Sequence, residues 1–174
     1  MLTIYWIRHG EAEGNLHRRC QGRTDGRLTP RGRLQAAALR PRLESVNLAA
    51  VYSSDLSRAY DTASAAVPTL PVQARKDLRE MNIGVWEDVP WGEIVHCHAA
   101  LYAQFLRADP GFTLPGAETI LAVTARTVAA LTDIAETHPG EAVAVFSHGL
   151  ALRCMLSGAT GRPASEFAHL DNAS

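Results

Sequence analysis

The sequence predicts an α/β fold, a single three-layer domain whose mainly parallel sheet carries helices on both faces. Three observations lead there. Apolar runs at 2–7, 49–52 and 142–146 have the length and β-branched or aromatic character of buried strands. Each run is followed by a segment of helical period, and a helical return to the same end of a sheet makes successive strands parallel. At 174 residues the chain has room for one core, and it shows no internal repeat, linker or low-complexity segment, so residues 1–174 are expected to form one domain.

The first strand, 2–7, delivers Arg8-His9-Gly10 to a loop, and 11–28 is polar and glycine-rich. Thr29 is an N-cap followed by proline at the first helical position, opening a helix to about residue 43 with Leu34, Ala38 and Leu39 on its apolar face. The second strand, 49–52, runs through Ser53-Ser54-Asp55 into a helix over 56–67, with Arg58 near its first turn. Pro71-Val72-Gln73 gives a weak third strand. From Lys76 to Pro115, glycine and proline punctuate one or two short helices near 91–107, an irregular segment of the kind that shapes a pocket. Residues 118–138 repeat apolar side chains at Leu121, Ala125, Val128 and Leu131 and stop at Pro139-Gly140. The last strand, 142–146, ends in Ser147-His148-Gly149, and 150–156 resumes as a helix.

Composition narrows the function. A formal net charge of -1 removes the electrostatic reason to expect nucleic-acid or anionic-membrane binding. The N-terminal apolar run has no basic stretch before it and is far shorter than the ~18 to 20 residues of a membrane span, so no signal peptide is read. Cys20, Cys97 and Cys154 are widely separated, which suggests neither a disulfide framework nor a zinc ribbon and fits a reducing, cytoplasmic setting.

The chemistry lies at the strand ends. His9 and His148 each follow a strand and precede a glycine, at the sheet end where open α/β folds bind ligands. Taken singly, either is as often a hydrogen-bonded structural residue. With Arg8 and Arg58 they make a set of two imidazoles and two guanidinium groups that would repel one another without an anion. A phosphoryl group fits, because arginine forks match oxygens over which negative charge is spread. Helix N-terminal amides after Ser54 and His148 could add donors. The plainer alternative for Arg58 is a surface ion pair with Asp55 or Asp61, and for Glu80 an exposed loop acid beside Arg79 or Lys76. His96-Cys97-His98 is not expected to bind metal: on a helix the three point apart, and on a strand only the histidines share a face. Trp86, Trp91, Tyr102 and Phe105 are expected to form a small core rather than line the pocket.

Taken in order, these blocks resemble the histidine phosphatase superfamily in its phosphoglycerate mutase-like branch, over nearly the whole chain. Ile7-Arg8-His9-Gly10-Glu11 is similar to the family signature and is followed by Asn15, Gln21-Gly22, Asp25, Leu28-Thr29 and Gly32 through Gln35-Ala36. Tyr52-Ser53-Ser54-Asp55-Leu56-Ser57-Arg58-Ala59 resembles the second block, Leu78-Arg79-Glu80 with Gly84 and Trp86-Glu87 the third, and Phe146-Ser147-His148-Gly149 the fourth. The resemblance implies that His9 takes the phosphoryl group on a ring nitrogen before water removes it. Arg8, Arg58 and His148 would bind phosphoryl oxygens, with Asn15, Gln21, Gly22 and Gly149 completing the phosphate and substrate pocket. Glu80 would protonate the leaving oxygen and then activate water, and Glu11 and Glu13 rank below it. Such chemistry needs an unprotonated nitrogen on His9, with the other donating to a fixed acceptor such as a backbone carbonyl.

The implied activity is a metal-independent, histidine acid-type phosphatase, hydrolysing small soluble phosphate esters without a cofactor, as a monomer or homodimer. A cofactor-dependent phosphoglycerate mutase is the alternative within catalysis, disfavoured because mutases are typically longer and the stretch from Glu80 to His148 is short. A ribazole-phosphate phosphatase of the cobalamin pathway is neither selected nor excluded. A non-catalytic phosphate-binding module would be marked by loss of His9 or Glu80, and both are present. Three departures from the pattern matter. Ala12 and Gly14 stand where many relatives have a hydroxyl residue and tryptophan, which should open that side of the pocket. Asp88 replaces a common glycine and would disfavour dianionic substrates if it pointed inward. The chain ends at 172–174, about where relatives begin a final strand, so either a tail is missing or the sheet is smaller.

Overall fold

Four strands, β1 (Thr3–Arg8), β2 (Leu48–Ser54), β3 (Val72–Arg75) and β4 (Ala142–Ser147), form one parallel sheet in the order β1-β4-β2-β3 in the computed structural model, which describes residues 1–167 and 171–174. Arg8 pairs with Ser147 and Ser53 with Phe146, so β1, β4 and β2 end side by side. That register brings the residues after β1 and β4 together with Ser54.

Alternation sorts the strands' side chains between two cores. Ile7, Val51, Ala144 and Phe146 pack with Leu43 of α3 (Arg40–Glu44) and with Ala63 and Ala66 of α4 (Ser57–Ala66). On the other face Ala50, Tyr52, Val143 and Val145 meet Ala130 and Ile134 of α7 (Ile120–Thr137). The three-layer expectation therefore holds. A third cluster, including Met81, Ile83, Trp86, Phe112, Leu150 and Cys154, lies under the irregular segment, which holds α5 (Trp91–Cys97) and α6 (Ala99–Arg107). Among the described residues no helix is long and apolar enough to cross a membrane.

Two helix faces differ from expectation. The helix starting at Thr29 is two pieces, α2 (Pro30–Ala38) and α3, because Pro41 sits in the first turn of the second, where it cannot donate to a continuing helix. On α2 the buried residues are Gly32 and Ala36, while Leu34 is 73% exposed. Close backbone approach explains this, since a Cβ on Gly32 would lie 2.0 Å from Glu11 O. On α7 the buried stripe is Ile120, Val123, Thr127, Ala130 and Ile134, and Leu121 is 63% exposed. Thr127 is tolerated inside because its hydroxyl donates to Val123 O at 2.8 Å.

The polar stretch after β1 contains a short helix, α1 (Glu13–Leu16), started where Asn15 Oδ1 accepts the Ala12 N–H at 3.0 Å. The chain end returns to the site: Ala173 N donates to Arg8 O at 3.1 Å, and the Asn172 amide donates to His9 O at 3.0 Å.

Candidate active site

His9 leaves the end of β1 and is buried, its Nδ1 lying 2.7 Å from Gly10 O. A carbonyl only accepts, so Nδ1 carries the proton and Nε2 keeps its lone pair. Burial first, then the Arg58 and Arg8 charges, holds this imidazole well below its ordinary range. Gly10 is fixed by donating to Thr62 Oγ1 at 3.0 Å, and a Cβ there would meet Gly32 O at 2.6 Å. His148 packs against His9 with ring centroids 5.1 Å apart and the ring planes tilted by 58°. It is fully buried beside His9, with Nε2 2.9 Å from Ser54 Oγ and no partner on Nδ1. Burial and the same two guanidinium groups also lower its basicity.

Arg58 is not the surface ion pair of its alternative. Buried in the first turn of α4, it donates through Nη1 to Thr24 O at 2.8 Å and through Nη2 to Gly22 O at 2.7 Å, leaving buried Nε without a partner. Asp55 is instead gripped at both oxygens by Arg79 at 2.6 Å. The loop supplying those carbonyls is held by Glu87, whose carboxylate accepts from Arg23 N, Thr24 N, Thr24 Oγ1 and Ile83 N. Gly22 needs its glycine twice over, with φ +49° and a would-be Cβ 2.2 Å from Glu87 Oε1.

Glu80 closes the N-terminus of α8 (Gly149–Thr160), accepting from Met81 N at 2.9 Å, Ala151 N at 3.0 Å and Leu150 N at 3.1 Å. Two of the amides expected to meet a phosphate after His148 are therefore already occupied by a carboxylate. After Ser54 the same holds, with Asp25 accepting from Ser57 N at 2.7 Å. The segment carrying Glu80 is pinned by Arg126 of α7, which donates to the carbonyls of Asp77, Arg79 and Glu80 while paired with Glu118.

Arg8, His9, Arg58, Glu80, Asn15, Gln21, Gly22 and Gly149 line one cavity of about 490 Å³. Glu11 lines it too, its Oε1 accepting from the Thr29 hydroxyl at 2.7 Å; Glu13 does not, and accepts from Arg27 N. The side of Gly14 is not open as expected, because the Gln21 side chain fills it: a Cβ on Gly14 would lie 2.1 Å from Gln21 Cγ. Trp86 is core, and Trp91, Tyr102 and Phe105 pack against that core as expected while also lining the cavity. Among the described residues no three His, Cys, Asp or Glu side chains are grouped to hold a metal ion, and His98 packs on Trp86 instead.

Asp88 is not among the residues lining the cavity, although its ion-pair partner Arg19 is. Its side chain is 56% exposed and pairs with Arg19 at 2.8 Å. Its φ of +58° explains why glycine suits this position, since aspartate tolerates the left-handed region at a cost of ~1 kcal/mol. An exposed ion pair offsets ~0 to 1 kcal/mol of that. Asp88→Gly is accordingly expected to shift stability by less than about 1 kcal/mol and to leave KM for doubly charged esters unchanged. Urea melts and steady-state kinetics check both, and a fall in KM would place the acid in the substrate's field after all.

Of the residues that position the others, Ser54 and Glu87 fall inside the quoted blocks, whereas Thr62 and Arg126 carry no motif of their own. The histidine phosphatase superfamily (branch 1) profile matches residues 4–174. A Salmonella choleraesuis protein named "Probable phosphoglycerate mutase GpmB" is 32% identical over 166 residues, covering 94% of this chain and 77% of its own length. YhfR of Bacillus stearothermophilus superposes with a TM-score of 0.90 at 32% identity, covering 99% of this chain and 86% of that one. A mycobacterial glucosyl-3-phosphoglycerate phosphatase, solved with VO3, gives 0.88 at 28% identity, covering 97% and 88%. Sequence blocks, strand-end chemistry and overall shape lead to one assignment: this chain belongs to branch 1 of the histidine phosphatase superfamily.

Proposed function

We propose that the chain, acting as one domain, hydrolyses small phosphate monoesters through a phosphohistidine on His9, without metal or cofactor. The observation that carries this is the His9 Nδ1–H bond to Gly10 O, which leaves Nε2 unprotonated inside a cation-lined cavity. Nε2 attacks phosphorus, the ester P–O bond breaks, and the leaving oxygen takes a proton from Glu80. Water then attacks the phosphohistidine, gives its proton to Glu80, and the P–N bond breaks to release phosphate and neutral His9. Arg8 and Arg58 neutralise the transferring oxygens, a role metal ions fill in other phosphatases. His148, its ring centroid 5.1 Å from that of His9, joins the two arginines on the phosphoryl oxygens. Asn15, Gln21, Gly22 and Gly149 complete the phosphate end. Hydrolysis is favoured over mutase action by the short segment between Glu80 and His148. The same reading makes the protein a cytoplasmic enzyme, monomeric or homodimeric.

A phosphoramidate is acid-labile and base-stable, whereas a phosphoserine is acid-stable. Rapid quench with a labelled ester should trap acid-labile, base-stable label on His9, turnover should survive exhaustive chelation, and vanadate should inhibit. Label on serine, or activity restored only by a divalent ion, would sink the proposal.

A further inference from the structure

Resting on that reading, we propose that the substrate's leaving group carries an aryl ring or a similarly flat apolar group, held against the cavity wall formed by Trp91, Tyr102 and Phe105. The first observation is the state of α6. It is amphipathic, yet none of its nine residues is fully buried: Tyr102 and Phe105 are half-buried and Leu106 is 47% exposed. An apolar helix face normally meets protein. Here Tyr102 and Phe105 pack against the third cluster and, with Leu106, also line the cavity that holds His9.

The second observation is that these rings form one braced wall. Tyr102 and Phe105 lie three apart on one helix face, and each places its ring centroid 5.8 Å from that of Trp91. Phe105 is backed by Trp86 and Phe112, both buried in the third cluster. Trp91 is fixed at its backbone by donating to Arg18 O at 2.9 Å. Arg153 of α8 is buried, lines the same cavity, and donates to Leu106 O at 2.9 Å and Ala164 O at 3.1 Å, tying the end of α6 to the helix that Glu80 caps. A wall braced in this way is pre-organised, so a ligand ring pays little to order it.

The third observation is the apolar character of the side chains that accompany these rings. Met81, Ile83 and Leu150 accompany the three rings and Leu106, and among these seven residues only the Tyr102 hydroxyl and the Trp91 indole N–H are hydrogen-bonding groups of the side chains. A polyhydroxy leaving group would lose water there with few replacement hydrogen bonds. A flat apolar group loses nothing polar and gains ring contacts.

The test compares 2-phenylethyl phosphate with glycerol 3-phosphate, both of which expel alkoxides of similar basicity, so the contrast reports recognition rather than leaving-group reactivity. The wild type should favour the phenylethyl ester at least about 10-fold in kcat/KM. Trp91→Ala and Tyr102→Ala should each raise its KM about 3- to 10-fold and leave that of glycerol 3-phosphate within about 2-fold. Leu106→Asp changes an already exposed residue, so the fold should survive it, and it should produce the same selective loss. Equal effects on both esters, or a wild-type preference for glycerol 3-phosphate, would overturn this proposal. If p-nitrophenyl phosphate still turns over and labels His9, only the leaving-group assignment falls; if it does not, the phosphatase reading falls first.

Discussion

Replacing His9 with asparagine is expected to abolish turnover and at the same time make the protein less sensitive to acid. The asparagine amide can still donate toward Gly10 O, as His9 Nδ1 does at 2.7 Å, but it offers no lone pair to phosphorus. Loss of the nucleophile in a covalent mechanism costs on the order of 10⁴- to 10⁶-fold, and acid-labile label should vanish. The acid effect follows from linkage. Burial and the nearby Arg58 and Arg8 charges keep His9 and His148 neutral well below the ordinary pKa of 6.5. In the unfolded chain both take up protons near 6.5. Below that pH the unfolded state therefore binds more protons than the native one, and stability falls as pH drops, until the depressed native values are reached. Each histidine adds up to ~1.4 kcal/mol per pH unit to that loss. Urea melts at pH 7, 6 and 5, without phosphate, should show His9→Asn losing stability less steeply than wild type by about that one-histidine amount. Parallel slopes would mean that His9 is already protonated in the fold, which is incompatible with its role as nucleophile at those pH values.

The strand ends were legible because buried parallel strands leave near-continuous apolar runs, and His9 and His148 sit immediately after two of them. Helix phase was harder. Gly32 and Thr127 lie in buried seams, yet one has no side chain and the other reads as polar, so pattern matching favoured Leu34 and Leu121, which face water. The charged members of the site were visible as residue types, while their partners were not. Arg58 is held by the carbonyls of Gly22 and Thr24, Glu80 by the amides of Leu150 and Ala151, and the Glu80 segment by Arg126. Backbone groups are the same at every position, so nothing in a sequence marks which carbonyl a guanidinium will reach. Trp91, Tyr102 and Phe105 were ambiguous for a related reason: their spacing fits a small core and a pocket wall equally well, and in the fold they do both, packing on the third cluster while lining the cavity.

Glu80→Gln is expected to slow phosphorylation of His9 by an alkyl phosphate about 100- to 10,000-fold and by p-nitrophenyl phosphate far less. An alkoxide leaves poorly unless it is protonated, whereas p-nitrophenolate departs readily as the anion, so only the first needs the proton that glutamine cannot deliver. The substitution is not silent structurally. Oε1 accepts from Met81 N and Ala151 N, and Oε2 from Leu150 N at 3.1 Å. A glutamine oxygen can replace Oε1, but its NH2 then faces the Leu150 N–H, donor against donor. One lost acceptor of this kind costs about 1 to 3 kcal/mol of stability. That cost falls on both substrates alike, so the ratio of their rates isolates the proton. Single-turnover phosphorylation must be followed, because Glu80 is also the base for water, and slow dephosphorylation would level the two substrates in steady state. Equal losses would remove Glu80 as the acid. Glu11 would then be the candidate, since it lines the cavity with one oxygen bound to the Thr29 hydroxyl, whereas Glu13 lies outside the lining and is occupied by Arg27 N.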